Sequence, residues 1–332
     1  MILSRVCHQR RYFRLACGLA LGLALLSACS SDADNDPLGG GPRFLVAGAN
    51  VITERTATEQ RILLGYDDGS FLFDAGIGPE GQRIAFIRQL PATTDAGGEV
   101  DFGSDVYLAD SDGSRPRNVL AHSQAGEFMR NPTWLNNNEL LVNVRGRDRN
   151  GQPDLRIEVL DLGTGARKRL IDNAVEIALS PDRKRIVYVL IDPETRIERL
   201  TVSDLDGANS IPLTPETSPL VFISSLAWSP DGTTIGFTSA DPSTGAVAPE
   251  PGSGGALAHP TLQDVWLVRP DGSNLHRLAE LAESQPSIAW SSDSKSLYAV
   301  GLAGFWRIDP ATGAMEVIAP GIPFAQIRLL SD

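Results

Sequence analysis

Residues Leu226–Phe237, reading LAWSPDGTTIGF, constrain this chain more than any other stretch. Two short apolar runs, Leu226-Ala227-Trp228 and Ile235-Gly236-Phe237, flank Ser229-Pro230-Asp231-Gly232. Proline presets the first central position of a tight turn, aspartate suits the second, and glycine accepts the left-handed backbone at the exit. The unit therefore predicts a β-hairpin. It recurs at Ile177–Asp182 with Ile186–Tyr188, at Ile288–Asp293 with Leu297–Ala299, and in worn form around Trp134 and around Gly78–Gly81. A second hairpin comes after each copy: Val106–Gly113, Ile157–Gly163, Leu200–Gly207, Val265–Gly272 and Phe305–Gly313. Each then runs into a short apolar strand such as Val119-Leu120 or Leu170-Ile171. One period thus holds four strands over about 40–60 residues, the pattern of a β-propeller blade.

Full copies fall at roughly 77–121, 128–172, 174–214, 221–280 and 285–320. The last segment, Phe324–Asp332, matches a first strand cut off at its turn. Its complement lies at the other end of the domain, with Phe44–Ala47 as a second strand, Ile62–Tyr66 as a third and Phe71–Phe73 as a fourth. The expectation is an all-β chain of six four-stranded blades, closed by one C-terminal strand and three N-terminal ones. Closure removes the free sheet edges that invite aggregation.

Ahead of the propeller, assigned to 43–332, come two other segments. Residues 1–28 have a basic start and an apolar run, Leu15–Leu26, too short to span a membrane comfortably. They end Leu26-Ser27-Ala28-Cys29, which resembles the bacterial lipobox. That resemblance implies a cleaved signal peptide, acylation of Cys29 and, with serine rather than aspartate at position 30, delivery to the outer membrane facing the periplasm. Residues 29–42 are polar and glycine-rich and read as a flexible tether. The three cysteines, Cys7, Cys17 and Cys29, all lie at or before the acylation point, so the body is expected to hold no disulfide and no thiolate site.

Net charge is −12, and losing residues 1–28 would remove four arginines and no acids. Such a surface repels phosphate backbones, which argues against nucleic acid as a partner. Two insertions break the repeat, Pro91–Gly103 in the first full blade and Ala240–Leu262 in the fourth. Both join second to third strands and belong on one face of the disc, where propellers bind. The candidate interaction residues are accordingly Pro91, Asp95, Glu99, Asp241, Glu250 and His259.

The AWSPDG…IxF and DVWLVxxDGS patterns resemble the repeat of the TolB-like periplasmic β-propellers, over about residues 43–332. The family's additional N-terminal α/β domain has no counterpart here, which implies a propeller-only, lipid-anchored relative. The resemblance implies a monomeric scaffold that binds an envelope protein or glycan without catalysis. The repeat tryptophans Trp134, Trp228, Trp290, Trp266 and Trp306 are read as packing between blades.

No catalytic constellation emerges. There is no G-x-S-x-G elbow. His122 and His276 are expected on solvated outer edges, and His259 stands alone in an insertion. Asp148–Asp154 faintly resembles a calcium loop without its later acidic ligand and reads as a turn, as do Asp67, Asp68, Asp110, Asp112, Asp204 and Asp206. No cofactor is expected, with a divalent cation in the channel left open. The competing reading is a polysaccharide-binding or polysaccharide-cleaving propeller, of lyase or glycosidase type. It requires His, Arg or carboxylates to converge at the channel mouth.

Overall fold

The computed structural model describes residues 41–94, 98–244 and 262–331. Blade 1 takes three strands from the start of this region, β1 (Arg43–Gly48), β2 (Val51–Arg55) and β3 (Gln60–Gly65). Blade 2 contains β4 (Phe71–Ile77) and β5 (Arg83–Gln89), then a small hairpin of β6 (Thr93–Thr94) and β7 (Val100–Asp101), then β8 (Ser104–Asp110) and β9 (Arg117–Leu120). Blade 3 is β10 (Phe128–Trp134), β11 (Glu139–Arg147), β12 (Pro153–Asp161) and β13 (Arg167–Asp172). Blade 4 is β14 (Ala174–Leu179), β15 (Arg185–Ile191), β16 (Glu198–Asp204) and β17 (Ile211–Pro212). Blade 5 is β18 (Val221–Trp228), β19 (Ile235–Ala240), β20 (Leu262–Val268) and β21 (His276–Ser284). Blade 6 is β22 (Ser287–Trp290), β23 (Leu297–Val300), β24 (Phe305–Ile308) and β25 (Met315–Ala319). The final strand, β26 (Gln326–Ser331), pairs antiparallel with β1, Val46 opposite Ile327.

The fold is therefore a six-bladed propeller whose ring closes with one C-terminal and three N-terminal strands, as the repeat predicts. The strands inside the closing blade differ from expectation. The third strand is Val51–Arg55, the segment 60–65 is the fourth, and Phe71 opens the first strand of blade 2. The charged pair Glu54-Arg55 disguises this third strand. Glu54 is nonetheless buried, because Arg61 donates to it at 2.5 Å and Arg43 lies 3.3 Å away. A paired charge can occupy a strand that an isolated one would disfavour.

The core confirms ring closure independently. Six apolar clusters form, one at each junction between neighbouring blades. At the closing junctions, Phe44 and Val46 of β1 pack with Tyr298, Phe305 and Ile327, while Leu45 and Ala47 pack with Ile84 and Phe86. Phe44 meets the Tyr298 and Phe305 rings edge-on at 4.8 and 4.9 Å, a favourable geometry for aromatic quadrupoles. Inner strands such as β19 and β22 are buried throughout, whereas the outer strands β13 and β25 are mostly exposed.

The SPDG turns are built by their own side chains. Ser229 Oγ accepts the Thr234 N–H at 2.9 Å and donates to Asp231 at 2.7 Å, while the Gly232 N–H closes onto the Ser229 carbonyl. Ser180 and Ser291 repeat this with Asp182 and Asp293. Gly232 has φ +76°, and the same turn position holds Arg183 (φ +58°) and Ser294 (φ +61°). Glycine adopts that conformation without the Cβ clash the other two must bear. The repeat tryptophans pack as expected. Trp134, Trp228 and Trp290 lie buried in clusters between blades, with Trp134 Nε1 donating to the Gly76 carbonyl and Trp290 Nε1 to that of Ala227.

Candidate binding face and central channel

Antiparallel alternation sends the SPDG turns and the third-to-fourth-strand turns to one face of the disc. The second-to-third connections and the crossings between blades emerge on the other. Both insertions fall in second-to-third connections, so their described ends share this loop-bearing face. Pro91 begins the first insertion, and Glu99 stands next to β7. Asp241 comes directly after β19, where its Oδ1 accepts the Ser243 N–H at 2.8 Å and so holds a short 3-10 turn at Pro242–Thr244. Asp95, Glu250, His259 and Cys29 lie outside the described residues.

The first insertion is anchored. His122 does not project into solvent as expected. Its Nδ1 lies 2.6 Å from Asp105 Oδ1 and its Nε2 lies 3.0 Å from Asp101 Oδ1, with only 11% of the side chain exposed. Asp101 belongs to the inserted hairpin and Asp105 to blade 2, so the imidazole bridges them. Burial works against its charge, but the two carboxylates prevail and raise its pKa. Beside it Gly103 pairs with Glu127, packed so closely that an added Cβ would meet the His122 ring at 2.7 Å. Glu127 is itself buried and takes Arg156 at 2.8 Å and Arg167 at 3.1 Å.

Of the large apolar side chains exposed among the described residues, most lie on the loop-bearing face, while Ile211 and Met315 follow third-to-fourth turns on the other face and Ile62 and Val317 lie on outer strands. Phe71 and Phe222 stand at or near the entry of first strands β4 and β18, and Phe324 just precedes β26. Phe324 is 68% exposed and Phe71 53%. Val100 and Phe102 of the first insertion, Ile197, Leu262 and Leu302 add further exposed apolar surface at the same end of the blades. The aromatic residues at strand entries surround the opening of the central channel.

Below that rim the channel is charged. The first strands break register at Phe73/Gly76, Arg130/Thr133, Val175/Ala178 and Ser224/Ala227. Within those bulges Asp74, Asn131, Glu176 and Ser225 have φ values of +49° to +54°. A bulge re-aims a side chain, and here each one reaches the neighbouring blade. Asp74 accepts the Asn131 N–H at 3.0 Å and Arg130 Nε at 2.5 Å. Asn131 Nδ2 donates to Glu176 at 3.0 Å, and Ser225 Oγ accepts the Ile288 N–H at 2.8 Å. Arg145 lies 3.2 Å from Glu176. Burial would raise the Asp74 pKa, but the Arg130 guanidinium and the Asn131 N–H outweigh it and hold the carboxyl below its ordinary range. Glu198 is raised by burial, partly offset by the Ile223 N–H that it accepts at 2.8 Å.

Arginines and carboxylates thus converge in the channel, and the described histidines do not. His276 lies on outer strand β21 with its ring against the Asn274 carbonyl, 2.8 Å away. The channel carboxylates Asp74 and Glu176 are each held by a guanidinium, an arrangement suited to binding and to locking blades together. Asp148 is spent on its turn, accepting the Asn150 and Gln152 N–H groups at 2.8 Å. Asp68, Asp112 and Asp206 similarly accept N–H groups two residues on.

Sequence reasoning passed over the channel residues because they are chemically unlike one another. The usable signal is positional: Asp74, Asn131, Glu176 and Ser225 each stand three residues before Ile77, Trp134, Leu179 and Trp228, the last residues of their strands.

No protein-family model matches this chain, and no curated protein matches it. Solved structures do. TolB from Acinetobacter baumannii is similar with a TM-score of 0.57 at 14% identity, over 86% of this chain and 66% of that one. The fold is TolB-like. A protein assigned as TolB in Agrobacterium tumefaciens gives 0.55 at 16% identity, over 88% of this chain and 100% of that one. Hydrazine synthase of Kuenenia stuttgartiensis gives 0.59 at 10% identity, over 87% of this chain and 47% of that one. At these identities the similarity is one of architecture. The TolB-like propeller that the repeat resembles is therefore present, with this chain spanning about two thirds of the Acinetobacter protein.

Proposed function

We propose that this protein is a non-catalytic scaffold of the cell envelope that docks a protein partner on its loop-bearing face. The observation that carries the reading is the set of exposed aromatic side chains, Phe71, Phe222 and Phe324, around the channel mouth. Exposed apolar clusters on an otherwise polar surface mark interaction sites, and aromatic anchors supply a large share of interface energy. Two insertions on the same face, one of them clamped by His122, extend the surface available to a partner.

The envelope assignment rests on the lipobox resemblance at Leu26–Cys29 and on the TolB-like fold. In this reading residues 1–28 are removed, acyl-Cys29 anchors the chain at the outer membrane facing the periplasm, and the propeller works as a monomer. Cys29→Ala releases the protein into the soluble fraction, and retention in the membrane after that change would contradict the anchor. For the face itself, photo-crosslinking residues placed at Phe324 and Phe222 in cells should trap one discrete partner band. The same probe at Thr233, on the opposite face, should not. Equal labelling from both faces would overturn the assignment.

A further inference from the structure

Among the described residues, one cation in the channel has no counter-ion. Of the three arginines near its charged tier, Arg130 is committed to Asp74 and Arg145 to Glu176. Arg328, on β26, makes no ion pair with any described residue, and its one hydrogen bond is to the neighbouring Ile327 carbonyl at 2.9 Å. Asp74 and Glu176 stabilise its charge from a distance, yet desolvation prevails and pulls its pKa down. A half-buried guanidinium with no ion pair is under-compensated and available to an anion.

Arg328 also lines a cavity. A volume of about 550 Å³ occupies the channel axis, walled by residues of all six first strands, among them Ile77, Trp134, Leu179, Trp228, Trp290 and Leu329. That size is within the range of small-molecule sites, roughly 300–1,000 Å³. Its wall is dominated by apolar and indole side chains, with Arg328 inside and Arg183, an exposed turn residue that donates to the Leu135 carbonyl at 3.1 Å, at the turn-bearing end. A wider groove of about 830 Å³ lies among the turns of blades 4 to 6, but its aspartates, Asp231 and Asp271, are occupied by turn hydrogen bonds.

We propose that the central channel binds an organic carboxylate with an apolar body, the carboxylate paired with Arg328 and the body against the indole and aliphatic walls. One guanidinium offers a fork matched to a carboxylate. A dianion such as phosphate fits less well, because Asp74 and Glu176 stand near Arg328 and the other cation of the wall, Arg183, lies out on an exposed turn. A cation is disfavoured because the cavity wall carries arginines and no carboxylate, and Asp74 and Glu176 already have arginine partners. The site is independent of the docking face: it lies inside the ring, and its ligand need not come from a protein.

The test uses the purified protein with hexanoate, hexanol and hexylammonium, read by thermal melting and by the fluorescence of the channel tryptophans. Hexanoate should raise the melting temperature by a few degrees and change the emission saturably, as expected for a ligand selective for the folded state. Hexanol and hexylammonium should do neither. Arg328→Met should weaken hexanoate at least tenfold, and Arg328→Lys by less. Without ligand, Arg328→Met should melt no lower than wild type, since it removes an uncompensated charge. If Arg328→Met does not fold, Arg328→Lys together with the three-probe comparison decides.

Equal responses to hexanoate and hexanol, unchanged hexanoate binding in the Arg328 variants, or no response to hexanoate would each overturn the proposal. An N-acetylated dileucine peptide and its C-terminal amide then distinguish the source. Binding of the free acid tighter than hexanoate points to a peptide terminus, and weaker binding to a small free acid.

Discussion

At the scale of single residues, the protein locates charge where its blades meet. Asp74 is buried with its carboxylate shared between Arg130 and the Asn131 N–H. Asp74→Ala should cost about 3 kcal/mol in denaturant unfolding, the scale for stranding a buried partner. Its folded pKa lies below the unfolded value of about 3.9. The stabilisation is therefore complete above that pH and lost as pH falls through the folded pKa, so Asp74→Asn should flatten the acid limb of the stability curve. His122 has the opposite sign. Its folded pKa exceeds the unfolded value of about 6.5, so its clamp is strongest below that pH and weakens as pH rises through the folded pKa. Hydrogen exchange at Val100 and Asp101 should accelerate across that range beyond the intrinsic rate, and His122→Gln should remove the dependence. Neither residue was legible as functional in the sequence. Asp74 stands in a worn repeat, with Ala75 where the other copies carry Pro132, Ile177 and Leu226, and the aspartates that hold His122 come from another strand and from an insertion.

At the scale of elements, the repeat made the architecture readable because its turns are self-contained. Ser229, Asp231 and Gly232 bond to one another and need no distant partner, so their spacing survives in the sequence. Blade 1 was harder to read because its register depends on long-range pairing: β1 finds β26 at the far end of the domain, and β2 tolerates Glu54 through Arg43 and Arg61. The match of Phe324–Asp332 to a first strand cut off at its turn, together with the need to close the ring, pointed to that pairing. Deleting residues 323–332 should leave β1 with an unpaired edge and open the cluster around Phe44, Val46 and Ile327. The expected outcome is loss of the single sharp thermal transition, with aggregation on heating. Restoration by a peptide of residues 323–332 would show that the missing strand, rather than damage elsewhere, is responsible. An unchanged transition after truncation would contradict the closure.

At the scale of the whole molecule, the two faces of the disc differ in chemistry. The turn-bearing face is built mainly from aspartates and serines engaged in their own loops around the Arg328 cavity, while the opposite face carries the described ends of the insertions and the exposed phenylalanines. The TolB-like architecture allows such a division without dictating a partner. The central claim is that the loop-bearing face is the docking surface, and one measurement tests it most directly. The protein with Phe71, Phe222 and Phe324 all changed to Ser is compared with wild type in quantitative affinity capture from intact, crosslinked cells. A Thr233→Arg variant on the turn-bearing face serves as control, and melting curves establish that all three proteins are folded. The account predicts that the partner captured by wild type and by Thr233→Arg falls at least tenfold with the triple variant. Undiminished capture by the folded triple variant, with loss in Thr233→Arg, would contradict it and place the docking surface among the turns.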